Sequence, residues 1–342
     1  MSGNAPEASP RGRGGRRLRR LVIGALVAGV IGLAGAEAAL RFGAGLGDPP
    51  LFDRDPAIEY VLKPSRTFHY RHHTYSVNSH RMRGPEFPAR KAEGELRVMV
   101  IGDSLLEGGG RIDQTELATE QLRIMLTEKF GRPVMVGNIS APSWGPPNQL
   151  AFIKLFGLFD ADVVVLVSNS GDYDDVPGLE ALGAVWPQRS PVLAIQEVLG
   201  RQLERRLPGL AIRLGMLSPA NPPPIEQREP MAAAALGELI QRVEQSGARF
   251  GLVQYWKLSE LRSGAEAGHG LIASAASAGT PGIRIWQTRE AFISAPTGDP
   301  TTLFQPGDDV HPSAAGHRVL AAVLLDAVVA IEAERVLHEP VR

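Results

Sequence analysis

Residues 163–167 read Val-Val-Val-Leu-Val directly after Asp162. A run of β-branched residues with no polar alternation suits a strand buried on both faces, and such a strand needs a sheet covered on both sides. Four further segments have strand character: 96–101, 133–139, 249–256 and 283–288. Between them lie stretches with helical spacing at 115–130, 148–159, 231–245 and, for the most part, 260–278, and a long helix is expected over 313–333. Residue 131 is a glycine, a good stop for the first of these helices. Strands alternating with helices imply right-handed crossovers and a parallel sheet. The expected fold is therefore α/β, three layers deep, around five parallel strands.

In an open parallel sheet, sites form beyond the carboxyl ends of the strands. Gly102-Asp103-Ser104-Leu105 follows the first strand, Ser140 the second, residues 169–175 the third, and the loop carrying Asp308-Asp309-Val310-His311-Pro312 follows the fifth. All four segments can meet on one rim. A serine hydroxyl is a weak nucleophile at neutral pH; it needs an imidazole to take its proton and a carboxylate to orient that imidazole. Ser104, His311 and an acid three residues before that histidine supply these three groups.

The chain has 342 residues, enough for one large domain or two, and its composition is ordinary for a globular protein. Six arginines and one acid fall in the first 20 residues, so the remainder carries 30 basic and 36 acidic residues. A mildly acidic body argues against nucleic-acid binding. There is no cysteine, which excludes disulfides, thiol nucleophiles and cysteine metal sites. Residues 1–20 are expected to be disordered. They run into the uncharged segment 21–36, interrupted by Glu37. Its length lies between a signal-peptide core and a spanning helix of ~20 residues. Three readings stay open for 21–42: an uncleaved signal-anchor with the body outside the cytoplasm, a cleaved signal with an exported body, and a buried helix. Residues 43–95 read as an irregular connector with a short strand at 75–78. Residues 176–230 break the strand–helix rhythm and read as an insertion or cap beside the site, with a helix over 191–207 and a stiff proline loop at 218–224.

Gly102-Asp103-Ser104-Leu105 and Asp308-x-x-His311-Pro312 resemble the first and last sequence blocks of the SGNH/GDSL hydrolase superfamily. Residues 75–86 are similar to a segment that precedes the first block in membrane-anchored bacterial members. The resemblance covers roughly residues 70–335 and implies a flavodoxin-like sheet and a hydrolase domain over 96–335. It implies Ser104 as nucleophile and backbone donor to an oxyanion hole, His311 as base and Asp308 as its orienting acid. Two blocks depart from the family pattern. Ser140 stands at the expected glycine of the second block, which keeps an N–H and loses glycine's conformational freedom. Gly171 stands at the expected asparagine of the third. Losing a side-chain donor there can cost ~3 kcal/mol of transition-state stabilisation, and Asn169 is the nearest substitute.

The expected activity is hydrolysis of a carboxylic ester, short-chain in its acyl part, through an acyl-enzyme and without a cofactor. The alternatives are an O-acyltransferase acting on envelope polysaccharide and a non-catalytic carbohydrate-binding member. The expected partners are a small ester or acylated glycan and, through residues 21–42, a membrane. Other features read more simply. Asp309 is expected to be solvated or to cap the helix near Ser313. Asp172, Asp174 and Asp175 read as a polar loop, and His69, His72, His73 and His80 as solvated residues, so no metal site is expected. Gly108-Gly109-Gly110 lacks the Lys-Ser/Thr of a phosphate loop and reads as a flexible rim. Trp144-Gly145-Pro146-Pro147 reads equally as pocket wall or packing, and Tyr255 and Trp256 as core.

Overall fold

The structure, a computed structural model, describes residues 13–178, 182–217, 222–280 and 282–338. It opens with helix α1 (Arg13–Ala38), followed by one wider turn over Ala39–Gly43. Two short antiparallel hairpins come next: β1 (Phe52–Asp55) with β2 (Glu59–Leu62), and β3 (Arg66–Tyr70) with β4 (His73–Val77). The body then runs β5 (Leu96–Gly102), α2 (Ser104–Glu107), α3 (Ala118–Phe130), β6 (Val134–Ser140), α4 (Pro146–Phe156) and β7 (Val163–Asn169). After β7 come α5 (Ala194–Arg206), α6 (Pro208–Arg213), α7 (Ile225–Gln245), β8 (Arg249–Tyr255), α8 (Leu258–Ser263), α9 (Ala267–Gly279), β9 (Ile285–Gln287), α10 (Arg289–Ile293) and α11 (Ala314–His338).

The five expected strands form one parallel sheet in the order β6-β5-β7-β8-β9. Counted within the sheet this is 2-1-3-4-5, the flavodoxin-like order, whose switch point lies beside the first strand. Alternation along the strands divides the core in two. Val98 and Val100 of β5, with Val163, Val165 and Val167 of β7, meet Leu122 and Leu126 of α3 and Leu320, Leu324 and Val328 of α11. Met99, Ile101, Val164 and Leu166 meet Phe152 of α4, Leu239 and Ile240 of α7 and Ile272 of α9. The molecule is thus a three-layer α/β/α sandwich. Helix α11 is apolar enough to span a membrane, but half of it is buried here and it closes the core.

Residues 43–95 are more ordered than an irregular connector. Phe52, Tyr60, Val61, Leu62, Phe68 and Tyr75 of the hairpins are buried in the same core as α4 and α7. The two-residue turn of the second hairpin is Arg71-His72, at φ 53° and 65°. Such turns are normally marked by Asn-Gly or Asp-Gly, so the sequence carried no hairpin signal here. The insertion leans on these hairpins: Trp186 stacks on Tyr60 at 5.3 Å, and Phe52 N–H donates to the Pro187 carbonyl at 3.0 Å. Helix α5 occupies most of the helix expected over 191–207, and α7 begins six residues earlier than expected, carrying Pro230 inside it. Of the expected proline loop, residues 218–221 lie outside the described residues, as do residues 1–12 of the basic N-terminus.

The helical segment Arg17–Gly43 is 27 residues long, and its most apolar 18-residue window has a mean hydropathy of 2.0 and is buried nowhere. It is long and apolar enough for a signal or membrane anchor. Glu37, the charge that interrupts its apolar run, accepts from the N–H groups of Ala194 (2.8 Å) and Ile195 (3.1 Å) at the start of α5, and also pairs with Arg41. The charge therefore joins α1 to the insertion by capping a helix whose N-cap residue, Leu193, has no hydrogen-bonding side chain.

Candidate active site

Strand β5 ends at Gly102, and Asp103 caps α2 by accepting from Leu105 N–H at 2.9 Å. This turn puts Ser104 at the first position of a short helix, half-buried on the rim of the sheet. Gly102 lets α2 pack close to the strand: a Cβ there would meet Leu106 Cδ1 at 2.8 Å and the Val167 carbonyl oxygen at 3.2 Å, so a larger residue would displace the Leu106 side chain.

Residues 305–311 form the opposite wall. Asp308 Oδ1 accepts from the N–H groups of Val310 (2.8 Å) and His311 (2.9 Å), which folds the loop around the carboxylate. Its other oxygen lies 2.8 Å from His311 Nδ1, and His311 Nε2 lies 2.9 Å from Ser104 Oγ. Burial works to raise the Asp308 carboxyl, but the hydrogen bonds from His311 and Val310 outweigh it and hold the group below the ordinary carboxylate range. Asp308 is therefore charged at neutral pH. With Nδ1–H donating to it, Nε2 presents its lone pair to the serine.

Asp309 does something else. Its carboxylate accepts from Ser259 N–H (2.8 Å) and Ser259 Oγ (2.6 Å) at the start of α8. Asp309 is exposed, as one of its two expected readings had it, but it does not cap the helix near Ser313: Ser313 Oγ itself accepts from Gly316 N–H, and Asp309 ties the His311 loop to α8.

The expected oxyanion donors need revision. Ser140 is the last ladder residue of β6, opposite Gly102, and its hydroxyl donates to Asn138 Oδ1 at 2.5 Å. Ala141 is the first residue beyond the ladder. Asn169 is also reassigned. Its amide donates to Asp103 Oδ2 (3.1 Å) and Asp172 Oδ1 (2.7 Å), which engages both hydrogens. Its own oxygen accepts from Gly171 N–H at 2.7 Å. Asn169 and Gly171 thus close a turn and leave no free donor, because the buried carboxylates beside them compete for the amide.

Those carboxylates form a cluster. Asp103 and Asp172 are buried, Asp175 is half-buried and Glu59 is buried nearby. Burial pushes the Asp103 carboxyl up to about 6. Burial and the charges of Asp103 and Glu59 push Asp175 up to about 7, and burial with its acidic neighbours raises Asp172 well above the usual range. The folded protein therefore holds protons that the unfolded chain, with carboxyls near pH 3.9, has released. The stability this provides is full below about pH 4 and is lost as pH rises through 6–7. Asp175→Asn is expected to raise Tm by about 3 °C or more at pH 8, about 1 kcal/mol for a domain of this size, and to give no gain at pH 4. Melting curves at the two pH values check this; an equal shift at both would show the cluster does not titrate in that window. Among the described residues no group of His, Asp and Glu side chains is disposed to hold a metal ion.

Sequence reasoning missed the support behind the cleft. Arg83 is fully buried and donates to the carbonyls of Glu107 (2.6 Å), Gly109 (2.8 Å) and Ile112 (2.5 Å), with its guanidinium 3.9 Å from the centre of the Tyr75 ring. Tyr75 OH donates to Glu107, which also accepts from Gly109 N–H at 2.8 Å. Gly108 and Gly109 have φ of 79° and 59°, and a Cβ on Gly110 would strike the Tyr70 ring. The glycine run is thus an anchored wall of the site, not a flexible rim. The only available signal was that Arg83 lies in the lead-in 75–86. Trp144 is packing: it is buried against Phe152 and donates to the Tyr60 carbonyl. Tyr255 and Trp256 are core.

Ser104, His311 and Asp308 open into a solvent-exposed cleft of about 370 Å³, walled by Tyr70, Arg71, the glycine run, Arg111, Pro142, Arg201 and Gln305.

Among solved structures the chain is similar to a lipase/acylhydrolase from Enterococcus faecalis, at 13% identity and a TM-score of 0.41 over 69% of this chain and 96% of that one. It is similar to a member of the lipolytic protein G-D-S-L family from Veillonella parvula, at 11% identity and a TM-score of 0.40 over 68% of this chain and 98% of that one. It is also similar to a family 3 carbohydrate esterase from Clostridium thermocellum, at 13% identity and a TM-score of 0.41 over 70% and 98% of the two chains. No family model and no curated protein matches the chain.

Proposed function

We propose that this chain is a serine esterase held at a membrane by α1, with its cleft outside the cytoplasm. The observation that carries the reading is the unbroken relay Ser104 Oγ–His311–Asp308, at 2.9 and 2.8 Å. Ser104 Oγ attacks the ester carbonyl as Nε2 takes its proton, and the imidazolium forms against the charged Asp308. The N–H groups of Ser104 and Ala141 receive the oxyanion. The imidazolium then protonates the departing alcohol. Water enters the open cleft, loses its proton to His311 and hydrolyses the acyl-enzyme. The six arginines before the apolar segment support an inside N-terminus.

The acyl group is short on this reading. Beside the serine the cleft offers the side chains of Pro142 and Tyr70 as its apolar surface, and the other walls are glycine, Gln305 and charged residues. Burying a methylene is worth about 0.8 kcal/mol only where there is apolar wall to meet it. Acetyl esters are therefore expected to be cleaved with a kcat/KM at least tenfold above octanoyl esters of the same chromogenic alcohol. A preference that climbed with chain length would contradict this. The openness of the cleft favours water as acceptor over the acyltransferase reading, which needs water kept out.

A further inference from the structure

The same cleft carries three arginines. Arg71 comes from the hairpin turn between β3 and β4, Arg111 from the end of the glycine run and Arg201 from α5 of the insertion. Three separate parts of the chain thus converge on one wall. Tyr70 organises two of them: the Arg71 and Arg201 guanidinium carbons lie 5.4 and 5.7 Å from its ring centre. Its hydroxyl is fixed by donation to Glu197 Oε1 at 2.5 Å.

The acids facing this wall are occupied. Glu197 accepts from Tyr70 OH and Gly47 N–H and pairs with Arg201 Nε at 3.4 Å. Glu107 accepts from Tyr75 OH and Gly109 N–H, and Asp308 holds the His311 loop. Among the described residues, no carboxylate lies within 4.0 Å of Arg71 or Arg111. Arg71 is also held in a left-handed conformation, at φ 53°, that a non-glycine side chain adopts at a cost of about 1 kcal/mol or more. Two cations without a carboxylate partner, one of them on a strained turn, at the mouth of a nucleophile's cleft are arranged for an anion.

We propose that Arg71, Arg111 and Arg201 form an oxyanion-recognition subsite, and that the ester substrate bears a carboxylate or phosphate next to its scissile bond. The proposal rests on the esterase reading for the word substrate, but the subsite can be tested without turnover. Binding of 4-acetoxybenzoate, 4-acetoxyphenyl phosphate and the neutral 4-acetoxybenzamide to full-length Ser104→Ala protein in detergent would be measured by titration calorimetry. At least one anion is expected to bind tenfold or more tighter than the amide, the gain of a charge-assisted contact. That advantage is expected to shrink on raising salt from 50 to 500 mM, to collapse towards one in Arg71→Gln/Arg111→Gln, and to survive in part in Arg71→Lys, with melting temperatures reported for each. Which anion wins identifies the carrier as a carboxylate or a phosphate. Equal binding of all three, or an anion preference that the glutamine pair leaves intact, would overturn the subsite. The same esters assayed with wild-type protein, normalised to hydroxide rates, test the esterase separately: absent turnover with intact anion preference would sink the catalytic reading alone.

Discussion

Ser104→Ala is expected to lower hydrolysis of a short-chain chromogenic ester by about 10³-fold or more, leaving only what backbone donors and binding contribute. The size of the effect follows from the relay: without Oγ, His311 Nε2 has nothing in the protein to deprotonate towards the acyl carbon. The side chain is half-exposed and its contact is with His311 Nε2. The variant should therefore melt with the parent, within about 0.5 kcal/mol for a surface change. Steady-state assays on full-length protein beside a melting curve decide it. Equal rates in parent and variant would leave the chain as a binding protein, and the non-catalytic reading would replace the present one.

Asp308→Asn should be nearly as damaging, at about 10²–10⁴-fold in kcat, for a different reason. The amide oxygen can still accept from Val310 and His311 N–H, so the loop keeps its shape. Its NH2 then faces Nδ1 and favours the tautomer with the proton on Nε2, which cannot accept from Ser104. Asp309→Asn is the internal control. Asp309 holds Ser259 and takes no part in the relay, so a change below about threefold is expected. If Asp309→Asn proved the more damaging of the two, the orienting acid would have been misassigned.

The sheet was legible because its strands advertise themselves. Val163-Val164-Val165-Leu166-Val167 has one reading, and helices of ordinary spacing separate it from its neighbours. Ser104, Asp308 and His311 were legible because each follows a strand of that sheet or an acid at fixed spacing. What escaped the sequence was held by details finer than pattern. The hairpin carrying Arg71 turns on Arg-His where Asn-Gly would have announced it. Ser140 proves to be the last ladder residue of its strand, and a shift of one residue lies below the resolution of any strand boundary read from sequence. Asn169 had a free amide on paper; in the fold, Asp103 and Asp172 take both hydrogens. Arg83 looked like one more basic residue in a basic stretch, yet it is buried and bonds three carbonyls that no local pattern places together.

The central claim is that Ser104 is a nucleophile made reactive by His311. Its most direct test is labelling of the full-length protein with a fluorophosphonate, followed by mass mapping of the adduct. A single adduct on the peptide containing Ser104 is expected, forming at least 10²-fold more slowly in His311→Ala. No adduct on Ser104, or labelling at the same rate without His311, would contradict it.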